Sequence, residues 1–344
     1  MDISEFDYEL PPELIAQQPL PERDASRLLV LDRKTGRLAH HAFTDLPALL
    51  APGDLLVVNR SRVIPARLRG RRASGGEAEI LLVRDRGEGR WEAMVRPGRH
   101  LRPGQRVTID EDLSVVIESE ALAEDGRRRV RLLSKRRDVD GALERCGHVP
   151  LPPYIRRPDA PSDRERYQTV YARESGSVAA PTAGLHFTPS LLARLAERGV
   201  DRAELVLHVG PGTFQPVKVA RVEEHRVAPE ACSVPPETAA AIARARARGG
   251  RVIAVGTTTV RALESAAGAD GTVAAGEGET ELVIRPGHRF QAVDVLLTNF
   301  HLPRSSLLLL VAAFAGREAV LRAYAEAVRE RYRFYSYGDA MLVT

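Results

Sequence analysis

Four polar clusters in the second half of the chain follow apolar runs, and their residue types suit proton transfer and the gripping of a polar ligand. In Pro181-Thr182-Ala183-Gly184-Leu185-His186-Phe187-Thr188, two hydroxyls and an imidazole flank a glycine that admits close backbone approach. The same stretch also reads as a helix-capping loop with Thr188 as the cap. Leu207-His208-Val209-Gly210-Pro211-Gly212-Thr213-Phe214 joins a histidine to a Gly-Pro-Gly turn, and Glu223-Glu224-His225 follows. Glu224 and His225 form either an acid–base couple or part of an exposed helix face. His208 is either a base or a satisfied strand histidine. In Val255-Gly256-Thr257-Thr258-Thr259-Val260-Arg261, a strand, a glycine, three hydroxyls and a helix start follow one another. That order offers free backbone N–H groups to an anion or polar ligand. It is not a phosphate-binding Walker loop, because no lysine in the chain follows a glycine. Three successive hydroxyls are costly to bury unpartnered, which favours a site here. The fourth cluster, Thr298-Asn299-Phe300-His301-Leu302-Pro303-Arg304-Ser305, couples an amide and an imidazole to a rigid Leu-Pro step. Near the C-terminus, Tyr332-Arg333-Phe334-Tyr335-Ser336-Tyr337 interleaves aromatics with arginine. Such a pattern suits either base stacking or a packed core.

Bulk composition bounds the class of molecule. The chain has 344 residues, 44% hydrophobic and 28% charged, as expected of a globular protein of two domains. Its formal charge of +4 is too small to argue for nucleic acid by itself. All but three of the 50 basic residues are arginine, the better side chain for bidentate phosphate contacts, though a general bias toward arginine gives the same count. Basic stretches at Arg60 with Arg62, Arg127 to Arg131 and Lys135-Arg136-Arg137 are candidate phosphate contacts or solvated strand faces. Cys146 and Cys232 are far apart, with no second Cys near either, so they form no disulfide framework and lack paired metal-ligand spacing. The acidic start, Met1-Asp2-Ile3-Ser4-Glu5, lacks the order of a secretory signal. The longest apolar run, Leu307 to Ala315, is far short of the ~20 residues that span a bilayer. A cytoplasmic address with no membrane partner follows.

The elements that must position these clusters are legible as alternating strands and helices. Leu55-Leu56-Val57-Val58, Glu204 to Val209, Val252 to Val255 and Val293 to Leu297 read as strands. Pro189 to Arg198, Pro236 to Arg248, Ser305 to Ala315 and Arg317 to Arg331 read as helices. Residues 63–150 differ in texture. Six short strand-like runs recur there, at Arg67-Leu68-Arg69, Ala78 to Val83, Trp91 to Val95, Gln105 to Ile109, Ser114 to Ile117 and Arg129 to Leu133. Turns such as Pro97-Gly98 and Glu124-Asp125-Gly126 separate them, which suggests a small β-barrel. The expected architecture is an α/β core from residues 1–62 and 151–344, with a barrel of residues 63–150 inserted. In such cores ligands sit beyond the strand ends, where the four clusters fall.

At this level of detail the motifs become specific. Val57-Val58-Asn59-Arg60-Ser61-Arg62-Val63-Ile64-Pro65-Ala66-Arg67, Pro181 to Thr188, His208 to Phe214, Gly256 to Ser265, Thr298 to Ser305 and Tyr332 to Met341 occur in one order across nearly the whole chain. Together they closely resemble the S-adenosylmethionine:tRNA ribosyltransferase-isomerase family of queuosine biosynthesis. The resemblance implies an α/β core, a barrel-like mixed sheet with flanking helices, carrying an inserted all-β small barrel. It also implies a reaction in which the ribosyl group of S-adenosylmethionine is transferred and isomerised onto the aminomethyl-deazaguanine wobble base of a tRNA with a queuosine-type anticodon. The products would be epoxyqueuosine-tRNA, adenine and methionine, so S-adenosylmethionine is a consumed substrate, and the resemblance implies neither a cofactor nor a metal.

The sulfonium acidifies the neighbouring ribose methylene, which calls for a base. On the resemblance that base is His186 or His208, with Glu224 as second choice. His301 and Asn299 are candidates to serve the departing adenine. Arg261 with Thr257, Thr258 and Thr259 would hold the methionine or ribose. Thr182, Gly184, Thr188, Gly210, Gly212, Thr213 and Gly256 would complete the substrate pocket, and Arg60, Arg304, Tyr335 and Tyr337 would meet the tRNA. Two positions depart from the family pattern: Pro211 replaces an alanine, and Ala228 replaces a histidine. A non-catalytic tRNA-binding protein is the alternative. A methyltransferase is disfavoured, since no strand runs into a Gly-x-Gly-x-Gly helix start. A monomer is expected.

Overall fold

The computed structural model describes residues 1–122, 126–214 and 216–344, Phe214 by its backbone alone. Of the Glu124-Asp125-Gly126 turn, Glu124 and Asp125 lie outside the described residues. In chain order the strands are β1 (Arg27–Leu31), β2 (Leu38–Ala42), β3 (Leu55–Asn59), β4 (Ser61–Val63), β5 (Arg67–Arg72), β6 (Glu77–Asp85), β7 (Arg90–Arg96), β8 (Arg106–Thr108), β9 (Leu113–Ile117), β10 (Arg128–Ser134), β11 (Glu174–Ser177), β12 (Asp201–Leu207), β13 (Glu230–Val234), β14 (Val252–Val255), β15 (Gly276–Thr280), β16 (Val295–Asn299) and β17 (Ala340–Val343). Nine of them form the core sheet in the order β15-β13-β12-β3-β14-β16-β17-β1-β2, and β5 to β10 close into a six-stranded barrel.

The centre of the core sheet is apolar on both faces, as parallel strands covered by helices require. Leu55 and Val57 of β3 enter one buried cluster with Val252 and Ala254, while Leu56 and Val58 enter the opposite one with Ile253 and Val255. Burying one such side chain contributes about 1.5–3 kcal/mol. Strands β12, β3, β14 and β16 run parallel, so their C-terminal ends share one edge. Antiparallel β17 starts at that same edge, Ala340 facing Asn299, and Leu28 of β1 faces Ala340 in turn. Six strand ends therefore border one strip of surface.

The barrel follows the expected alternation, with Ala78, Ile80 and Leu82 of β6 and Leu113, Val115 and Ile117 of β9 inside it. It leaves the core directly after β3, through β4, which pairs in parallel with β11. Arg84 on β6 and Glu279 on β15 form an ion pair between barrel and core.

Two expectations need correction. The core sheet is not barrel-like: it stays open, with β15 and β2 as separate edges. The first four residues of β15, among them Glu277 and Glu279, are exposed, and charged edges of this kind resist further pairing. The strand expected at Val293 to Leu297 runs two residues later, as β16. Glu264 takes the Val293 N–H and the Asp294 carboxylate accepts from Val252 N, so both residues are spent before the ladder starts.

Candidate functional site

Asn59, 1% exposed at the end of β3, ties the strand-end edge together. Its Oδ1 accepts from Ser61 N at 3.0 Å and Leu207 N at 3.1 Å, and its Nδ2 donates to Leu207 O at 2.9 Å. A longer contact of 3.5 Å reaches the Thr258 hydroxyl. Beside it the Thr257–Ala266 helix opens at Gly256, whose φ of 88° suits glycine, and no side chain caps its first N–H groups. These groups carry the positive end of the helix dipole. The three hydroxyls divide their work. Thr259 is fully buried and donates to Val255 O at 2.7 Å, Thr258 faces Asn59, and Thr257 has no partner among the described residues.

His186 and Asn299 meet across this edge. The Asn299 amide nitrogen donates to Tyr335 O at 3.0 Å and lies 3.2 Å from His186 Nε2, so that ring nitrogen is the acceptor. The proton of His186 therefore sits on Nδ1 and is donated to Ser26 Oγ at 2.8 Å. Burial, with the nearby charges of Arg333 and Arg23, holds its pKa down to about 3. His301 is likewise pushed to about 3 by burial, with its Nε2 2.9 Å from Thr298 Oγ1. Both imidazoles are neutral at pH 7. The Asn299 Oδ1 is buried without a partner.

His208 differs. It is half-buried, makes no side-chain hydrogen bond among the described residues, and its Nδ1 is buried unpartnered. Burial lowers its pKa below the usual 6.5, and Glu174 pulls it back up. Its ring lies against Gly176, where an added Cβ would stand 2.7 Å from the imidazole, at a φ of 144°. Glu224 is exposed at the end of the Val222–Glu224 turn, and His225 Nε2 is 2.7 Å from Ser306 Oγ.

The Gly-Pro-Gly turn is fastened by Glu230, a residue that sequence reasoning missed. The Glu230 Oε1 accepts from Gly210 N at 2.8 Å and Thr213 Oγ1 at 3.4 Å, while Oε2 pairs with Arg261 Nη1. Both side chains of the pair are about nine-tenths buried. Arg261 also donates to Leu282 O at 2.9 Å and Thr280 O at 3.4 Å. Three of its five N–H groups are thus engaged by Glu230 and backbone at 8% exposure, so its first role is to anchor the Glu230 turn, which the sequence did not show. The sequence carried no signal for the pair, because only the β12–β13 hairpin brings Glu230 to this edge.

The remaining candidates are placed as follows. Gly212 faces open space, whereas Gly184 is packed against Tyr171 and Thr169 and so cannot admit a ligand. Thr182 is half-buried with no side-chain partner among the described residues. Thr188 caps the Pro189–Glu197 helix, accepting from Leu191 N at 3.2 Å. Arg60 has a buried, unpartnered Nε and lies 3.9 Å from Glu204, and Arg304 pairs with exposed Asp7. Tyr335 and Tyr337 are 3% and 5% exposed, which corrects their expected role as base-stacking surfaces. Tyr335 packs edge-on against Tyr154, and the Tyr337 hydroxyl donates to Asp163 Oδ1 at 2.8 Å.

The first and fourth loops are thus bonded directly, through His186 and Asn299, while the second and third are bridged by Glu230, and Asn59 ties the third to β3. A small hollow of about 20 Å³, open to solvent, lies there, lined by Leu185 and His186 of the first loop, by Arg166, and by the N-terminal segment and the turn at Ser336-Tyr337-Gly338. None of the other three loops lines it. Among the described residues no group of three or more His, Cys, Asp or Glu is placed to hold a metal, and no helix is long and apolar enough to cross a membrane.

A mixed α/β sheet bearing a free neutral imidazole, an open helix N-terminus and polar turns along one strand-end edge defines an enzyme class that handles polar ligands at that edge. The comparison with known proteins narrows this. A family profile described as "Queuosine biosynthesis protein" matches residues 3–343, and the chain belongs to that family. It is 58% identical over 346 residues to the S-adenosylmethionine:tRNA ribosyltransferase-isomerase of Anaeromyxobacter sp. (strain Fw109-5), covering 100% of this chain and 99% of the relative. The enzyme of the same name from Moorella thermoacetica is 55% identical, with 100% of both chains covered. The crystal structure of S-adenosylmethionine tRNA ribosyltransferase from Thermotoga maritima is 44% identical, covers 99% of this chain and 100% of that chain, and gives a TM-score of 0.57.

Proposed function

We propose that this protein transfers and isomerises the ribosyl moiety of S-adenosylmethionine onto the aminomethyl-deazaguanine wobble base of tRNA, forming epoxyqueuosine-tRNA and releasing adenine and methionine. The observation that carries the reading is identity of 58% across the whole chain to a relative of that name. S-adenosylmethionine is spent as a substrate and no cofactor is needed. The core, residues 1–62 and 151–344, holds the nucleoside, and the inserted barrel, residues 63–150, flanks the RNA.

Within that reaction His208 is the base that removes the proton from the ribose methylene beside the sulfonium. A base needs a free lone pair on a neutral ring. Among the described residues His208 has no hydrogen-bonded nitrogen, and burial lowers its pKa. His186 spends its Nε2 lone pair on Asn299, and at a pKa of about 3 it is a weak base. It acts as a positioning residue, and His301 beside it does the same. The Asn299 Oδ1, buried and unpartnered, is free to accept from the exocyclic amine of the adenine. Thr257 and the uncapped N–H groups of its helix receive the methionine carboxylate or ribose oxygens. Ala228 is exposed and cannot titrate, so no proton step runs through that position.

The test is incubation with S-adenosylmethionine and a tRNA bearing the aminomethyl-deazaguanine, followed by chromatography of free adenine and mass analysis of the nucleosides. Adenine in step with epoxyqueuosine is expected. Binding of tRNA with S-adenosylmethionine left intact would instead support the non-catalytic alternative.

A further inference from the structure

The hollow beside His186 carries charge that the reaction above leaves unused. Arg23 and Arg166 line it, and neither makes an ion pair with a carboxylate among the described residues. Both are held by backbone. Arg23 donates to the carbonyls of Gln168, Leu185 and Glu165, and Arg166 donates to those of Pro21 and Leu20. A guanidinium has five N–H groups, so these bonds leave each arginine with spare donors, and the Arg166 Nε is buried with no partner. Arg333 stands just behind, with its Nη1 also buried and unpartnered. Like charges gathered this way repel: burial and then the Arg166 charge lower the pKa of Arg23, with Glu165 nearby pulling it partly back, and burial with the charges of Arg333 and Arg23 depresses His186. Glu22, also on the wall, is exposed and bonded to neither arginine. Arginines serving only as staples between loops would not need to converge on a solvent-open hollow without a counter-ion. A tetrahedral oxyanion would supply one, with oxygens for both forks at once.

We propose that this hollow is a phosphate site, in which Arg23 and Arg166 grip a backbone phosphodiester of the RNA substrate next to the nucleotide being modified. The inference rests on the tRNA reading above. The site also has a route to the reaction centre. Ser26 lines the hollow and accepts the Nδ1 proton of His186, so its own hydroxyl proton is free to donate to a phosphate oxygen. His186 in turn accepts from Asn299 at the strand-end edge. A phosphate seated here thus fixes the Ser26–His186–Asn299 chain, which makes Ser26 a positioning residue.

The experiment measures tRNA affinity of the full chain and of Arg166→Gln and Arg23→Gln across a range of KCl concentrations. Loss of one phosphate contact in a single-stranded loop should flatten the slope of log affinity against log salt by about 0.7. Affinity at low salt should fall by about tenfold. The KM for S-adenosylmethionine should stay within about twofold. Should either variant fail to fold, phenylglyoxal labelling of the wild type replaces it. Arg23 and Arg166 adducts, read by peptide mass spectrometry, should be suppressed by an anticodon stem-loop RNA and not by S-adenosylmethionine. An unchanged salt slope overturns the proposal. So does a raised KM for S-adenosylmethionine with normal tRNA binding, which would assign the hollow to the methionine carboxylate. Wild-type protein that binds tRNA with this slope yet releases no adenine would refute the functional reading and leave the phosphate site standing.

Discussion

Lowering the pH from 7 to 5 should strip this fold of a large part of its stability, and two buried histidines account for it. His186 and His301 are 4% and 5% exposed, and both are held near a pKa of about 3. In the unfolded chain each returns to about 6.5. Between these values the unfolded chain binds a proton at each imidazole and the folded chain does not. Stability is therefore fully present above pH 6.5 and drains away as the pH falls toward 3. From pH 7 to pH 5 the loss is about 1.9 kcal/mol per histidine, or about 4 kcal/mol for the pair. Against a total of about 5–15 kcal/mol, that shift is easy to measure. In Asp54 and Asp163 burial would raise the pKa, but hydrogen bonds to Arg251 and Arg157 among others outweigh it and lower the value, so their contribution is lost only below the usual carboxylate range, outside this window. Urea denaturation at pH 7 and pH 5 is the assay, run also on His301→Gln, whose pH dependence should be smaller by about 1.9 kcal/mol. Equal midpoints at the two pH values, or ring resonances of either histidine titrating near 6.5 in the folded protein, would refute the reasoning.

Replacing His208 by Gln should cut adenine release by about 10²–10⁴-fold with S-adenosylmethionine binding unchanged by calorimetry, and near-normal turnover would remove it as the base. Because the neutral ring is the active form, kcat/KM of the wild type should hold constant down to pH 6.5 and fall only below it, at the lowered pKa of His208. Gly176→Ala places a methyl 2.7 Å from the His208 ring at a φ of 144°, so activity should drop with a stability cost of about 1–3 kcal/mol in urea. Arg261→Met strands the buried Glu230 carboxylate and should cost about 3–5 kcal/mol, whereas the double change Arg261→Met with Glu230→Leu should recover much of that loss. A double variant no more stable than the single one would show that the pair is not the cause.

The central strands and both layers of the core were legible because parallel strands buried on two faces read as unbroken apolar runs, as in Leu55 to Val58 and Val252 to Val255. The barrel strands announced themselves by alternation between turn residues. The edge strands β2 and β15, and β13 beside β15, were not legible, since Leu38–Ala42 and Gly276–Thr280 carry little apolar pattern and the edges pair only because a neighbour offers a free side. At the site, the identities of His186, His208, Asn299 and the threonines were visible, but not their roles. His186 and His208 look alike as residue types. What separates them is whether the ring nitrogens have hydrogen-bond partners, Ser26 and Asn299 at His186 and none among the described residues at His208, and those partners lie 160 and 113 residues from His186. Glu230 and Tyr335 show the same gap: one is a buried anchor that looks like a surface acid, the other a buried packing residue that looks like an RNA contact.

If His208 is the base, as proposed, its position gives the inserted barrel a mechanical hold on the reaction. The barrel departs through β4, and the Ser177 hydroxyl of β11 donates to Ser61 Oγ on β4 at 2.8 Å. The same Ser177 oxygen accepts from Val209 N at 2.9 Å, one residue beyond His208, while Gly176 supplies the surface on which the imidazole rests. Linker, pairing strand and base are thus joined by two hydrogen bonds within a buried strip. A shift of the barrel that moved β4 by an ångström would carry β11 with it, because breaking the Ser61–Ser177 bond would leave buried hydroxyls unsatisfied at a cost of about 1–3 kcal/mol. His208, resting on β11, would follow. With His208 as the proposed base, an RNA that engaged both the barrel and the core edge would fix its geometry on docking and favour proton removal in the ternary complex; adenine release at the same rate with and without tRNA would refute this.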